Sequence, residues 1–114
     1  MSGERAGPKM TIPTQLVLLV LLEDPTRERY GLELGELAGL ATGTIHPILA
    51  RLEKVGWVHS RWEQVDPKEQ GRPQRRYYRL DPNSIAFVRS ALARASASSA
   101  AVRRLRPDLA GGNP

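Results

Sequence analysis

Between Thr42 and Leu80 the apolar pattern changes period, and that change limits what the chain can become. Ile45, Ile48, Leu49, Leu52 and Val55 follow the i, i+3, i+4, i+7 spacing of a buried helical stripe. Gly56 then ends the stripe, as a glycine after a helix should. From Trp57 the spacing becomes two. Val58, Ser60 and Trp62 alternate with Trp57, His59, Arg61 and Glu63, and Tyr78 and Leu80 alternate with Tyr77 and Arg79. Two such runs separated by one loop predict a hairpin, with strands Trp57 to Glu63 and Arg75 to Leu80. Tyr78 and Trp62 share alternating faces with Leu80 and Val58, which predicts hairpin core. The loop, Val65 to Gln74, holds two prolines and a glycine. Ordered loops of that length usually carry function.

The helix is expected over Thr42 to Val55, with its regular part beginning near Thr44. Pro47 then falls in the first turn, where proline is tolerated, and Thr42 or Thr44 can cap the start. Upstream, Thr11 to Asp24 reads as a first helix with Pro13 in its first turn. Leu16, Val17, Leu18, Leu19, Val20, Leu21 and Leu22 leave it no polar face. A helix apolar all round must be covered on all sides, and a chain this short predicts that a partner subunit does part of the covering. A charged connector, Glu23 to Arg29, follows. Gly31 to Gly39 reads as a short second helix with Leu32, Leu34, Leu37, Ala38 and Leu40 as its apolar side. Asp81-Pro82 starts the last helix, expected to reach about Arg104. Its seam of Ile85, Val88, Leu92, Ala95, Ser99 and Val102 steps by three and four, as in a coiled coil.

The expected class is therefore mainly α with a small β-hairpin (α+β). It is a winged helix-turn-helix over residues 11–81 plus a C-terminal dimerisation helix over 82–106. A flexible N-terminal arm, 1–10, and a disordered tail, 107–114, complete the 114 residues. One small domain fits that length. The longest apolar run has seven residues, too few to span a bilayer, so no membrane partner is expected and the chain reads as cytoplasmic.

Charge points toward a partner. The net charge is +5, with 4 basic against 6 acidic residues in 1–50 and 13 against 6 in 51–114. Such asymmetry suggests a polyanion. Phosphate neutralisation supplies most DNA affinity, and side chains at base edges supply specificity. Thr42, Thr44, His46, Pro47 and Arg51 occupy the outward side and the start of the third helix. Arg72, Arg75 and Arg76 crowd the loop and second strand. Pro73 biases Arg72 to an extended backbone, from which its guanidinium could lie in a narrow minor groove. Double-stranded DNA is the expected partner. The alternative is a winged-helix protein-interaction module whose basic wing meets an acidic protein.

Other chemistry finds little support. The sequence has no cysteine, which excludes disulfides and thiolate chemistry within it. His46 and His59 fall on different elements without further metal ligands, so no metal site is expected. No catalytic constellation or phosphate-cradling glycine loop is present, so the chain is expected to be neither an enzyme nor a cofactor binder.

The motifs also resemble those of PadR-family transcriptional regulators. The resemblance rests on Gly43-Thr44-Ile45-His46-Pro47, Arg51-Leu52-Glu53 and Tyr77-Tyr78-Arg79-Leu80, with Tyr30-Gly31-Leu32-Glu33-Leu34 upstream. It covers about residues 14 to 105. His46 and Leu32 stand where the family usually has tyrosine, and Asp81 where it has threonine. The resemblance implies a homodimeric repressor that reads an inverted repeat with its third helix (about 44–55) and its wing (about 63–76). It also implies dimer contacts from the first and last helices, here Leu16, Leu19, Val20, Ile85, Val88, Leu92 and Val102. Effectors in the family are often small aromatic or hydrophobic molecules.

Overall fold

The computed structural model describes residues 7–97. Five helices and three strands follow in the order α1 (Ile12–Glu23), β1 (Arg29–Tyr30), α2 (Gly31–Ala38), α3 (Thr42–Lys54), β2 (Val58–Trp62), α4 (Pro67–Gln70), β3 (Arg76–Leu80) and α5 (Ile85–Ala97). A 3-10 turn, Pro82–Ser84, leads into α5. The antiparallel sheet has the order β1-β3-β2, with Tyr30 opposite Tyr77 and Val58 opposite Leu80. The mainly helical α+β class expected from the sequence is what the chain adopts.

Thr11 starts α1 as its N-cap, with its Oγ1 accepting from the Thr14 amide at 3.3 Å. The helix packs against α2, α3, α5 and β3 of its own chain. Leu16, Val17, Leu18, Val20 and Leu21 are buried there, and Leu19 is half-buried. This corrects the expectation that α1 needs a partner to cover it. Val88 and Leu92 of α5 are buried in the same core, and Ile85 packs at its edge. Ala95 is half-buried on the same helix, whereas Ser99 and Val102 of the expected seam and the 107–114 tail lie outside the described residues, as do residues 1–6 of the arm.

The turn between α2 and α3 is tight. Gly39 takes a φ of 74° after α2, and the Leu40 amide donates back to the Gly35 carbonyl at 2.8 Å. A Cβ on Gly35 would stand 2.9 Å from the Leu40 carbonyl oxygen, so only glycine lets the chain double back here. On α2, Leu34 and Ala38 are buried, but Leu32 and Leu37 are exposed, contrary to the expected apolar side.

Ile45, Ile48, Leu49 and Leu52 fix α3 to the core as the stripe predicts, while Val55 is exposed. The helix begins at Thr42 as expected, but it is helical from there rather than from Thr44, and Ala41, not Thr42 or Thr44, is its N-cap, without any side-chain bond. Pro47 therefore sits inside the helix rather than in its first turn. Its missing N–H deprives the Gly43 carbonyl of a partner, and both residues are exposed, so water can serve that oxygen.

Two elements depart from the expected connector and loop. Arg29 and Tyr30 form the short third strand by pairing with Tyr78 and Tyr77. Pro67–Gln70 forms one helical turn, α4, with Asp66 accepting from the Lys68 amide at 2.9 Å. Trp62 shares a face with Val58 and Tyr78, yet it stands at the loop end of β2 and is 51% exposed rather than core.

Candidate nucleic-acid interface

The inward stripe of α3 leaves an outward arc. Thr42, Thr44, His46, Pro47, Ala50, Arg51 and Lys54 are all exposed along it. Arg51 and Lys54 stand in the last turn, where the helix dipole favours cations. The N-terminal end of the arc turns toward the hairpin. A groove of about 240 Å³ opens there, lined by His46 of α3, by Gly31 and Leu32 at the start of α2, and by Trp62, Gln74, Arg75 and Arg76 of the hairpin. Gly31 makes the close approach feasible, because a Cβ on it would lie 3.2 Å from the His46 imidazole carbon Cε1.

Aromatic rings hold the two groove arginines. The Arg75 guanidinium sits over the Tyr30 ring at 4.1 Å, and that of Arg76 over Trp62 at 5.1 Å. Tyr30 itself meets Tyr77 edge-on, with centroids 5.9 Å apart. Arg76 also lies 3.6 Å from Glu53 of α3, a contact joining wing and helix.

Arg72 is placed differently. It is absent from the groove, and its guanidinium grips Glu63, with Nη1 and Nη2 donating to the two carboxylate oxygens at 2.8 and 3.0 Å. Glu63 also accepts from the Arg75 amide at 3.1 Å. The Arg72 bond is the main reason the Glu63 carboxyl falls to about 2, opposed by desolvation and helped by the Arg75 amide. The residue that the sequence puts foremost in the wing is thus engaged inside it.

Two further arginines of the sheet are also engaged. Arg61 makes a two-pronged bond to Glu28, both contacts at 2.7 Å, and lies over Tyr77. This bond holds the Glu28 carboxyl below its ordinary range. Buried Arg29 contacts Glu33 at 3.3 Å. At the far end of the sheet, His59 lies 2.9 Å from Asp81, whose other oxygen accepts from the Ser84 hydroxyl at 2.8 Å. The Ser84 bond, then His59, keeps the Asp81 carboxyl below its usual value.

The structure thus brings His46, Arg75 and Arg76 together at one groove and continues Thr42, Thr44, Pro47 and Arg51 along the adjoining arc. It sets Arg72 apart. Sequence reasoning missed Lys68, exposed at the wing tip, and the ring partners of the arginines. Asp66-Pro67, a helix-start pair, was the available signal for the turn that carries Lys68. No cluster of three metal-ligating side chains occurs among the described residues, and none of their helices is long and apolar enough to cross a membrane.

The sequence pattern of the transcriptional regulator PadR-like family matches residues 17–83, more than half of the chain. The chain belongs to that family. The match takes in the later part of α1, the helix-turn-helix and the wing, so the groove and arc lie wholly within the PadR-like region. No curated protein sequence matches the chain. Among solved structures it is similar to overoxidized AbfR bound to DNA, at 28% identity and a TM-score of 0.59, covering 78% of this chain and 59% of that one. It is likewise similar to disulfide-formed AbfR, at 28% identity and a TM-score of 0.56, covering 74% and 54%. The chain therefore spans less than two thirds of the AbfR chains. This PadR-like sequence has no cysteine, so the disulfide of that neighbour has no counterpart within it. A possible transcriptional regulator from Methanosarcina mazei Go1 shares the fold at 17% identity, with a TM-score of 0.58 and coverage of 92% and 81%.

Proposed function

We propose that this PadR-like chain is a cytoplasmic, sequence-specific DNA-binding repressor that acts as a homodimer on an inverted repeat. One observation carries the reading. The exposed arc of α3 and the groove arginines of the wing form one continuous surface, free of any role in the core. In this reading α3 enters the major groove and the wing root follows the adjoining phosphates. A DNA-bound AbfR structure at 28% identity supports the choice of partner. The test is fluorescence polarisation with a duplex from the region upstream of the chain's own gene. Affinity should fall with salt, with a log–log slope of about −0.9 per phosphate neutralised, and unrelated duplex should compete poorly. A salt-independent interaction, or preference for an acidic protein over DNA, would favour the protein-interaction alternative.

The dimer reading places the contact to one side of the sequence seam on α5, sharing Ala95 with it. Val88 and Leu92 face their own core, whereas Phe87 is 69% exposed. Phe87, Ala91, Trp57, Met10 and Pro8 line an apolar groove of about 350 Å³. A second copy covering this face would remove from water the most exposed aromatic among the described residues. Phe87→Asp is expected to shift the sedimentation equilibrium toward monomer by at least about tenfold in dissociation constant. An unchanged dimer would move the interface elsewhere.

A further inference from the structure

The wing bears a largely covered carboxylate at its root, which is an odd choice for a surface proposed to meet phosphate. Glu63 follows β2, and only 12% of its side chain is exposed. Its carboxylate receives both terminal nitrogens of Arg72, the Arg75 amide, and the Tyr77 hydroxyl at 3.5 Å. Its backbone is tied as well. The Glu63 amide donates to the Arg75 carbonyl at 2.8 Å, and Gln74 Nε2 donates to the carbonyls of Glu63 and Val65 at 3.1 and 3.0 Å. The Arg72 amide donates to the Pro67 carbonyl at 3.2 Å, closing the loop around α4. A loop of this length would otherwise sample many shapes, and ordering it on binding costs affinity.

We propose that Glu63 is a positioning residue for DNA binding, clasping Arg72 and the Arg75 amide so that the wing presents Arg75 and Arg76 beside α3. Arg72 is the second half of the clasp and not a phosphate contact. The proposal rests on the DNA-binding reading above. It makes a prediction opposite in sign to plain electrostatics. Removing a carboxylate near DNA should tighten binding if charge alone matters. Removing the clasp should weaken it.

The test has one arm without DNA and one with it. In the free protein, the NMR shift of the Arg75 amide reports the carboxylate that it touches. Its titration midpoint should lie near 2, well below the ordinary 4.5 of a glutamate. The sign follows from that lowered value: the clasp's contribution to stability is full above pH 4.5 and declines as pH falls from 4.5 toward 2, while in the folded protein the carboxylate itself is half protonated only near 2. With DNA, Glu63→Ala should weaken binding by about 3- to 10-fold. Arg72→Gln should do the same while leaving the salt slope unchanged, whereas Arg75→Gln should reduce the slope by about 0.9. Circular dichroism of each variant confirms that the fold survives. Tighter binding by Glu63→Ala, or a slope lowered by Arg72→Gln as by Arg75→Gln, overturns the proposal. An amide midpoint near 4.5 with wild-type DNA binding intact overturns the clasp alone. Failure of the wild type to bind any duplex overturns the DNA reading, and the positioning role with it, whatever the amide midpoint.

Discussion

Leu49→Ala is expected to remove about 2–5 kcal/mol of folding stability. Leu49 is fully buried on the inward side of α3, packed in the cluster that also holds Leu18, Leu52 and Leu80. Truncation loses the transfer energy of three carbons and leaves a cavity in that core. Domains of this size hold only about 5–15 kcal/mol in total. Thermal denaturation should therefore show a melting temperature lower by roughly 10–30 °C. A drop below about 5 °C would mean that the core closes over the cavity, and that α3 is less firmly seated than its burial indicates. DNA affinity, measured well below the new transition, should change little, because Leu49 faces away from the proposed contact surface.

Arg51→Ala should show the reverse pattern. Arg51 is exposed near the C-terminal end of α3, on the arc proposed to meet DNA. Its loss should cost stability only about 0.3–1 kcal/mol, through the helix dipole. Binding to the cognate duplex should weaken by about 1–3 kcal/mol, roughly 5- to 150-fold. The salt dependence separates two roles. A slope reduced by about 0.9, with equal weakening on all sequences, assigns Arg51 to phosphate. An unchanged slope with relaxed preference at one position assigns it to a base edge. Unaltered affinity would place this end of α3 off the DNA.

The parts legible in the sequence were those with a period. Ile45, Ile48, Leu49 and Leu52 announced the inward side of α3, and the alternation around Tyr78 announced the hairpin. The strand Arg29–Tyr30 is too short to show any period, and it exists only because Tyr77 and Tyr78 pair with it across the fold. Trp62 has the parity of a core residue, but parity gives the face and not whether the core reaches the loop end of the strand. The coverage of α1 escaped for a related reason. Seven apolar residues in a row say that all sides are buried without saying by what. Arg72 is the clearest case at the site. Composition counts four arginines between Arg72 and Arg79. Which one is already neutralised depends on Glu63, nine residues upstream and brought close only by the hairpin.

The junction between β1 and α2 has a mechanical consequence. Tyr30 is the last residue of the strand, the N-cap of the helix and the ring beneath Arg75. No linker separates β1 from α2, so the pairing of β1 with β3 ties the wing directly to the helix-turn-helix. In the proposed DNA-binding mode this junction helps set the gap between the wing and α3. A duplex that does not match that gap has to bend or narrow its own groove to fit, and its sequence sets the energy required. Base steps that the protein never touches would then influence which sites it prefers.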